Sequence, residues 1–486
     1  MMKRKCAGCK KETCNGCSLN PGMKINSSKG EPSLFPEGFS ADEGEGYGIA
    51  FDIGTTTVAA MLWDLEKKVQ LETETCVNPQ RFAGSDVISR IAYSTGGEEN
   101  RQRLHSVIVE KMEELAKRLC IQAGIVMENT DNGKVGDGKD SEYFPISRVT
   151  AVGNTAMCEI LLGLSLEGLS AAPFHKEYTG CVRKKGRELG FSFLQEAQIT
   201  VLPSIDGYVG ADALAVYTYV KIRDSRRNVL AVDIGTNGEI LLIGKEKSYA
   251  CSAAAGPALE GAAVFQGMGA AAGAVEEVKI LGSFPRQDIY CRVIGGGSPK
   301  GICGSGLVDA LAVLRKLKVI DETGYLLNAG EARKAGVPEQ ICRRLGTYQG
   351  ENRILLTESD SPVYLTAGDV RQLQLAKSAI RAGIEVLLKK EGIRKEELSH
   401  IYLAGAFGSY IKIENAVAIG LLPDVSDERI SHTGNCAGTG AAMALLSEEI
   451  VEDMENYAEE IRHVELAEEE AFQEFFLCHL AFFRNL

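Results

Sequence analysis

Apolar and polar positions alternate in a regular order from residue 47 onward, and in no regular order before it. Gly48–Phe51 and Val58–Trp63 are apolar runs of strand length joined by Gly and Thr, a pattern that predicts a β-hairpin. Arg101–Ala123 reads as a helix, Glu128–Tyr143 as a charged, glycine-rich loop, and Val149–Val152 as another strand. The same grammar restarts at Asn228. Ala50–Leu62 aligns without gaps on Ala231–Ile243, with the Ala, Asp, Ile, Gly and Thr of the two segments identical and apolar flanks in both. Two such hairpins about 180 residues apart predict a duplicated α/β domain, because internal self-similarity reports repeated architecture.

Length and composition narrow the class. A chain of 486 residues exceeds one ordinary core, and 45% hydrophobic with 24% charged residues is the usage of a soluble globular protein. Lys and Arg number 53 against 66 acidic residues, a net charge of −13, which argues against a nucleic-acid partner. The basic start, Met1 to Lys5, lacks the apolar core of a signal peptide. The most apolar long window, Cys251–Val275, holds Pro257, Glu260 and five glycines and would insert poorly into a bilayer. The expectation is a cytoplasmic protein without a membrane segment. Ten of the 14 cysteines are scattered singly, as small buried hydrophobes in a reducing compartment are. The other four cluster within residues 1–17. Residues 18–46, rich in Gly, Pro, Ser and acidic residues, read as a linker. The expected organisation is a cysteine segment 1–17, linker 18–46, a first lobe 47–227 and a second lobe 228–486.

The hairpin turns carry the chemistry. Asp52-Ile53-Gly54-Thr55-Thr56-Thr57 combines a glycine that permits a tight turn, backbone N–H groups that approach an anion, hydroxyl donors, and a carboxylate able to hold Mg²⁺. Asp233-Ile234-Gly235-Thr236-Asn237-Gly238 repeats it. Either copy alone could be an ordinary β-turn. Together, on facing lobes, they would grip a triphosphate from both sides. A third element, Ile401–Gly408, is a strand running into Gly405, Ala406 and Gly408, where a nucleoside ring could approach the backbone.

The order hairpin, hairpin, glycine turn resembles the phosphate-1, phosphate-2 and adenosine motifs of the superfamily of sugar kinases, Hsp70-type chaperones and actin. More narrowly, several segments resemble the ATPase domain of the reductive activators of corrinoid proteins. They are Asn78–Ile91, Val152–Ala156, Leu202–Asp212, Cys251–Gly261, Gly301–Asp309 and Leu403–Pro423. The resemblance runs from about Tyr47 to near the C-terminus. It implies a two-lobed actin-like, ribonuclease H-like fold that binds ATP and Mg²⁺. It implies an activator that returns cob(II)alamin to cob(I)alamin on a corrinoid, cobalamin-binding methyl-carrier protein, with an electron arriving through an iron–sulfur centre. A low-potential donor such as ferredoxin or flavodoxin would supply it, and a homodimer is left open. ATP is needed because the transfer runs uphill, each ~59 mV for one electron costing about 1.4 kcal/mol.

Cys6-x2-Cys9-x4-Cys14-x2-Cys17 has the spacing of a metal or cluster site. Well-known members of the family carry a whole plant-type ferredoxin domain instead, and its fourth cysteine has no counterpart here. A 4Fe–4S cluster on Cys6, Cys9, Cys14 and Cys17 is the first reading, structural Zn²⁺ the second, and a metal-free tail the third. Gly133-x4-Gly138-Lys139 approaches a P-loop, but Asp140 stands where Ser or Thr should bind Mg²⁺. The acidic run Glu448–Glu470 reads as the wet face of a helix. The alternative functions are a small-molecule kinase, for which Asp206 or Asp212 could be the base, and a nucleotide-gated binding module without redox role. In the ATPase reading Asp206 polarises a hydrolytic water beside Asp52 and Asp233.

Overall fold

The computed structural model describes residues 34–125, 146–408 and 410–482, the side chains of Ala406 and Phe407 excepted. Among these, the chain forms two compact units. One holds residues 34–225 together with Asn435–His463, the other Arg226–Gly434 together with residues 464–482.

In the first unit, β1 (Tyr47–Ile53), β2 (Thr57–Asp64) and β3 (Val69–Val77) form an antiparallel meander. β4 (Ile146–Gly153) then pairs parallel with β1. β5 (Val182–Lys185) and β6 (Gln198–Val201) complete the order β3-β2-β1-β4-β6-β5, with β6 parallel to β4. Ile49, Ala50, Phe51 and Ile53 are all buried, so β1 reads as a continuous apolar run because both its faces are covered. The helices Ala211–Arg223 and Cys436–Leu446 pack closely in this unit. The second is built of Cys, Ala, Gly, Thr, Met and Leu and is buried along its whole length. Small residues permit this approach: a Cβ on Gly440 would fall 2.5 Å from Ala215 O. Thus a segment far along the sequence closes the unit that the N-terminal strands begin.

The second unit repeats the path. β7 (Val229–Ile234), β8 (Gly238–Ile243) and β9 (Ser248–Ala253) form the meander. An insertion follows, with one three-stranded sheet of β10 (Ala274–Leu281), β11 (Asp288–Val293) and β12 (Gly301–Ile302). A second small sheet comprises β13 (Leu345–Tyr348), β14 (Glu351–Leu355) and β15 (Tyr364–Thr366). β16 (His400–Ala404) then pairs parallel with β7, and β17 (Ile430–Gly434) with β16. The order β17-β16-β7-β8-β9 matches β6-β4-β1-β2-β3 strand for strand, so both units are ribonuclease H-like lobes. The long helix Ala367–Glu391 starts at a Thr366/Asp369 capping box and stops at left-handed Gly392.

The expected strands and the expected helix appear, the helix as Glu98–Gln122. Of the acidic run Glu448–Glu470 only Glu448–Glu460 forms the expected helix, which buries Ile450, Val451 and Met454; the rest leaves it through the short strand Arg462–His463 and the turn Leu466–Glu468. Residues 128–143 lie outside the described residues, as do Cys6, Cys9, Cys14 and Cys17. Among the described residues, no helix is long and apolar enough to cross a membrane, and the ten scattered cysteines are unbridged thiols, six of them buried.

Candidate functional site

The β1–β2 turn is closed by Gly54 N donating to Thr57 O at 3.0 Å. A Cβ on Gly54 would lie 2.7 Å from that same oxygen, so no larger residue fits this turn. Asp52, at the end of β1, accepts a hydrogen bond from Asn435 Nδ2 at 3.0 Å. Asn435 also caps the helix Cys436–Leu446, its Oδ1 accepting from Gly438 N at 2.8 Å. Burial pushes Asp52 up to about 6, and the Asn435 donor moderates the rise.

Asp212 occupies the first turn of the helix Ala211–Arg223, its Oδ1 accepting from Ala213 N at 2.8 Å. Burial raises it, and the charge of Asp52 raises it further. The two carboxylates therefore share one field. Gly210, just before Asp212, lets this helix start against Asn154, since a Cβ there would fall 2.3 Å from Asn154 Cα. Asn154 in turn caps the helix Thr155–Leu162 and donates from Nδ2 to Thr55 Oγ1 at 2.9 Å. Thr55 is buried, whereas Thr56 and Thr57 are exposed. A pair of half-buried carboxylates that oppose each other's ionisation fits a divalent cation, which neutralises both.

Asp206 has different company. Its Oδ1 accepts from Gly207 N at 2.8 Å and its Oδ2 faces His463 Nδ1 at 2.9 Å. The His463 hydrogen bond holds its carboxyl below the usual range. Its backbone oxygen accepts from Thr155 Oγ1, and Lys176 Nζ binds the carbonyls of Ser204 and Ile205 just before it. The structure ties Asp206 to His463 and sets Asp212 in the field of Asp52.

The β7–β8 turn repeats the first, with Gly235 N donating to Asn237 O at 2.9 Å. Thr236 Oγ1 donates to Glu260 Oε2 at 2.9 Å, which fixes the turn to the segment Pro257–Glu260. Gly238 packs on Ile380. Asp233 is the penultimate residue of β7, and Gly405 follows the neighbouring β16 at φ +83°. A Cβ on Gly405 would fall 2.2 Å from Asp233 Oδ1. Both the backbone conformation and the close approach demand glycine here. Gly405–Gly408 forms one helical turn, so in this unit the turn expected to meet a nucleoside abuts the carboxylate expected to meet phosphate.

Four contributors went unassigned in the sequence reading: Asn154, Asp212 as partner of Asp52, Glu260 and Asn435. Asn154, Asp212 and Glu260 lie within the family-like segments, but only the fold shows what surrounds them. Asn435 announces itself solely as a helix cap.

Residues 227–485 match the family profile described as the C-terminal domain of RACo, the ASKHA domain, and residues 47–225 match the RACo middle region. The chain is 35% identical over 446 residues to the corrinoid activation enzyme RamQ of Eubacterium limosum, covering 90% of this chain and 71% of that one. It is 27% identical over 466 residues to the Co(II) methylated amine-specific corrinoid protein reductase of Methanosarcina barkeri, covering 90% and 77%. A solved structure of a reductive activator for corrinoid, iron-sulfur protein superposes with a TM-score of 0.76 at 29% identity, covering 91% of this chain and 67% of that chain.

Proposed function

The chain belongs to the RACo family of reductive activators of corrinoid proteins, and from that premise we propose which of its residues serve the ATP-dependent return of a Co(II) corrinoid to Co(I). The observation that carries the assignment is Asp52 on a phosphate-type hairpin with Asp212, from the helix Ala211–Arg223, in its field, both held in a lobe that the chain builds twice.

Asp52 and Asp212 hold Mg²⁺, directly or through water. The bound ion supplies positive charge that offsets the charge on the nucleotide's phosphates. The Gly54–Thr57 turn binds phosphate through backbone N–H groups and the Thr56 and Thr57 hydroxyls, while Asn154 orients Thr55. Gly235, Thr236, Asn237 and Gly238 offer the same groups from the second hairpin, with Asp233 as its carboxylate. Gly405, Ala406 and Gly408 receive the nucleoside. Asp206, kept ionised by His463, accepts a hydrogen bond from the hydrolytic water. ATP can drive the uphill electron only through a different affinity for two states of the protein–corrinoid complex.

On spacing alone we assign Cys6, Cys9, Cys14 and Cys17 to an iron–sulfur centre, 4Fe–4S in preference, with Zn²⁺ as the alternative. A ferredoxin- or flavodoxin-like donor would reduce it. The reaction class is tested by following ATP hydrolysis under anaerobic conditions. Turnover should be slow alone and rise when a corrinoid protein in the Co(II) state is added. Formation of a phosphorylated sugar or short-chain acid at a comparable rate would transfer the assignment to a kinase.

A further inference from the structure

The segment 78–90 takes up three consecutive carbonyls of the first phosphate hairpin. Asn78 Nδ2 donates to Gly54 O at 2.8 Å, Arg90 Nη2 to Thr55 O at 2.5 Å, and Asn78 N to Thr56 O at 2.8 Å. Both side chains also touch Met157 Sδ, at 3.7 Å from Asn78 Nδ2 and 3.3 Å from Arg90 Nη1, so they approach from one side. In a planar trans peptide the N–H points opposite to the C=O. With the carbonyls of Gly54, Thr55 and Thr56 drawn toward this segment, the N–H groups of Thr55, Thr56 and Thr57 face away from it.

Arg90 is 1% exposed, and Asn78 and Gln80 are fully buried. The other Arg90 partners are Gly84 O at 3.2 Å and Gln80 Oε1 at 3.3 Å. Gln80 is fixed in turn, Nε2 to Leu104 O at 3.1 Å and N to Asn78 Oδ1 at 2.9 Å. Among the described residues these hydrogen-bond partners are carbonyl, amide and thioether groups; the Asp86 carboxylate one helical turn away offsets part of the guanidinium charge but makes no hydrogen bond to it. A buried cation without a hydrogen-bonded carboxylate is costly and is seldom kept for packing alone. Here it stands one hydrogen bond behind a turn that is to hold phosphate.

We propose that Asn78 and Arg90 are the positioning residues of the first phosphate hairpin: they preform its amide face and place a fixed positive charge behind it. This rests on the nucleotide reading above, and it gives the Asn78–Ile91 segment a role at the hairpin without contact to the nucleotide.

The test is calorimetric binding of a magnesium-bound, non-hydrolysable ATP analogue and of adenosine to wild type, Arg90→Met and Arg90→Lys. Arg90→Met should bind the analogue about tenfold or more weakly, the scale of a lost charge-assisted hydrogen bond, and adenosine unchanged. Arg90→Lys should recover part of the loss, since an ammonium restores the charge but not the planar fork. A folded Arg90→Met that keeps wild-type affinity for the analogue, or that loses both ligands equally, overturns the inference. Should Arg90→Met fail to fold, Asn78→Ala is held to the same two criteria. Wild-type protein that binds neither ligand overturns the nucleotide site itself, an outcome distinct from either variant result.

Discussion

Replacing Asp52 by Asn should make the nucleotide-free protein more stable and inactive. The carboxyl of Asp52 is pushed from 3.8 to about 6, first by burial. A carboxyl raised in this way favours folding only while it carries its proton. That contribution is whole below pH 3.8 and is lost as the pH climbs through about 6. At pH 8 the ionised group therefore weighs against folding by about 3 kcal/mol, from ~1.4 kcal/mol for each pH unit of the rise. Asparagine keeps the shape and an oxygen for Asn435 Nδ2 and has no charge to bury. For a unit of this size each kcal/mol moves the midpoint by about 2–4 °C. Thermal denaturation at pH 8 in EDTA should then place Asp52→Asn roughly 6–12 °C above wild type. The gap should close as the pH approaches 4. Magnesium with a non-hydrolysable ATP analogue should raise the wild-type midpoint more than the variant's, and ATP turnover should be absent from the variant. A variant that melts at or below wild type at pH 8 in EDTA would refute the claim that Asp52 is held ready for a cation at an electrostatic cost.

Three further outcomes follow from the same geometry. Asn435→Ala removes a helix cap worth about 1 kcal/mol and the donor that moderates Asp52. Asp52 should then rise further, and the pH below which magnesium-nucleotide binding fails should move upward in titrations between about pH 5.5 and 8. Gly405→Ala forces a Cβ to 2.2 Å from Asp233 Oδ1 at a left-handed φ, so nucleotide affinity should fall by about tenfold or more in calorimetry, the strain being of order 1–3 kcal/mol. Anaerobically prepared protein should be brown, with visible absorption bleached by dithionite. A Cys9→Ser, Cys14→Ser double variant should lose the colour and keep nucleotide binding, and stoichiometric zinc without iron would end the electron-relay assignment.

The two hairpins were legible because the chain writes the same five identities twice, in apolar runs too short for helices. The strand ending at Gly405 was legible for the same local reason. What the pattern could not show was contact across long separations. Asp206 and Asp212 sit in one segment and look equivalent in the sequence, yet His463 claims the first and the field of Asp52 the second. Nothing periodic marks Asn435 as the donor to Asp52, because 383 positions separate them. The return of Asn435–His463 to the first unit was equally hidden. Its helix is almost uniformly small and apolar, so no polar face betrays what covers it. Arg90 reads as one more basic residue on a helix until its buried partners are seen.

Watching the cobalt tests ATP-dependent corrinoid activation most directly. A corrinoid carrier protein held in the Co(II) state is mixed anaerobically with this protein, a low-potential reductant and Mg–ATP, and the absorption spectrum is followed. The Co(I) spectrum should appear with ATP, and fail to appear with a non-hydrolysable analogue or with Asp52→Asn. Co(I) forming equally well without ATP, or ATP being consumed while the corrinoid stays Co(II), would contradict it.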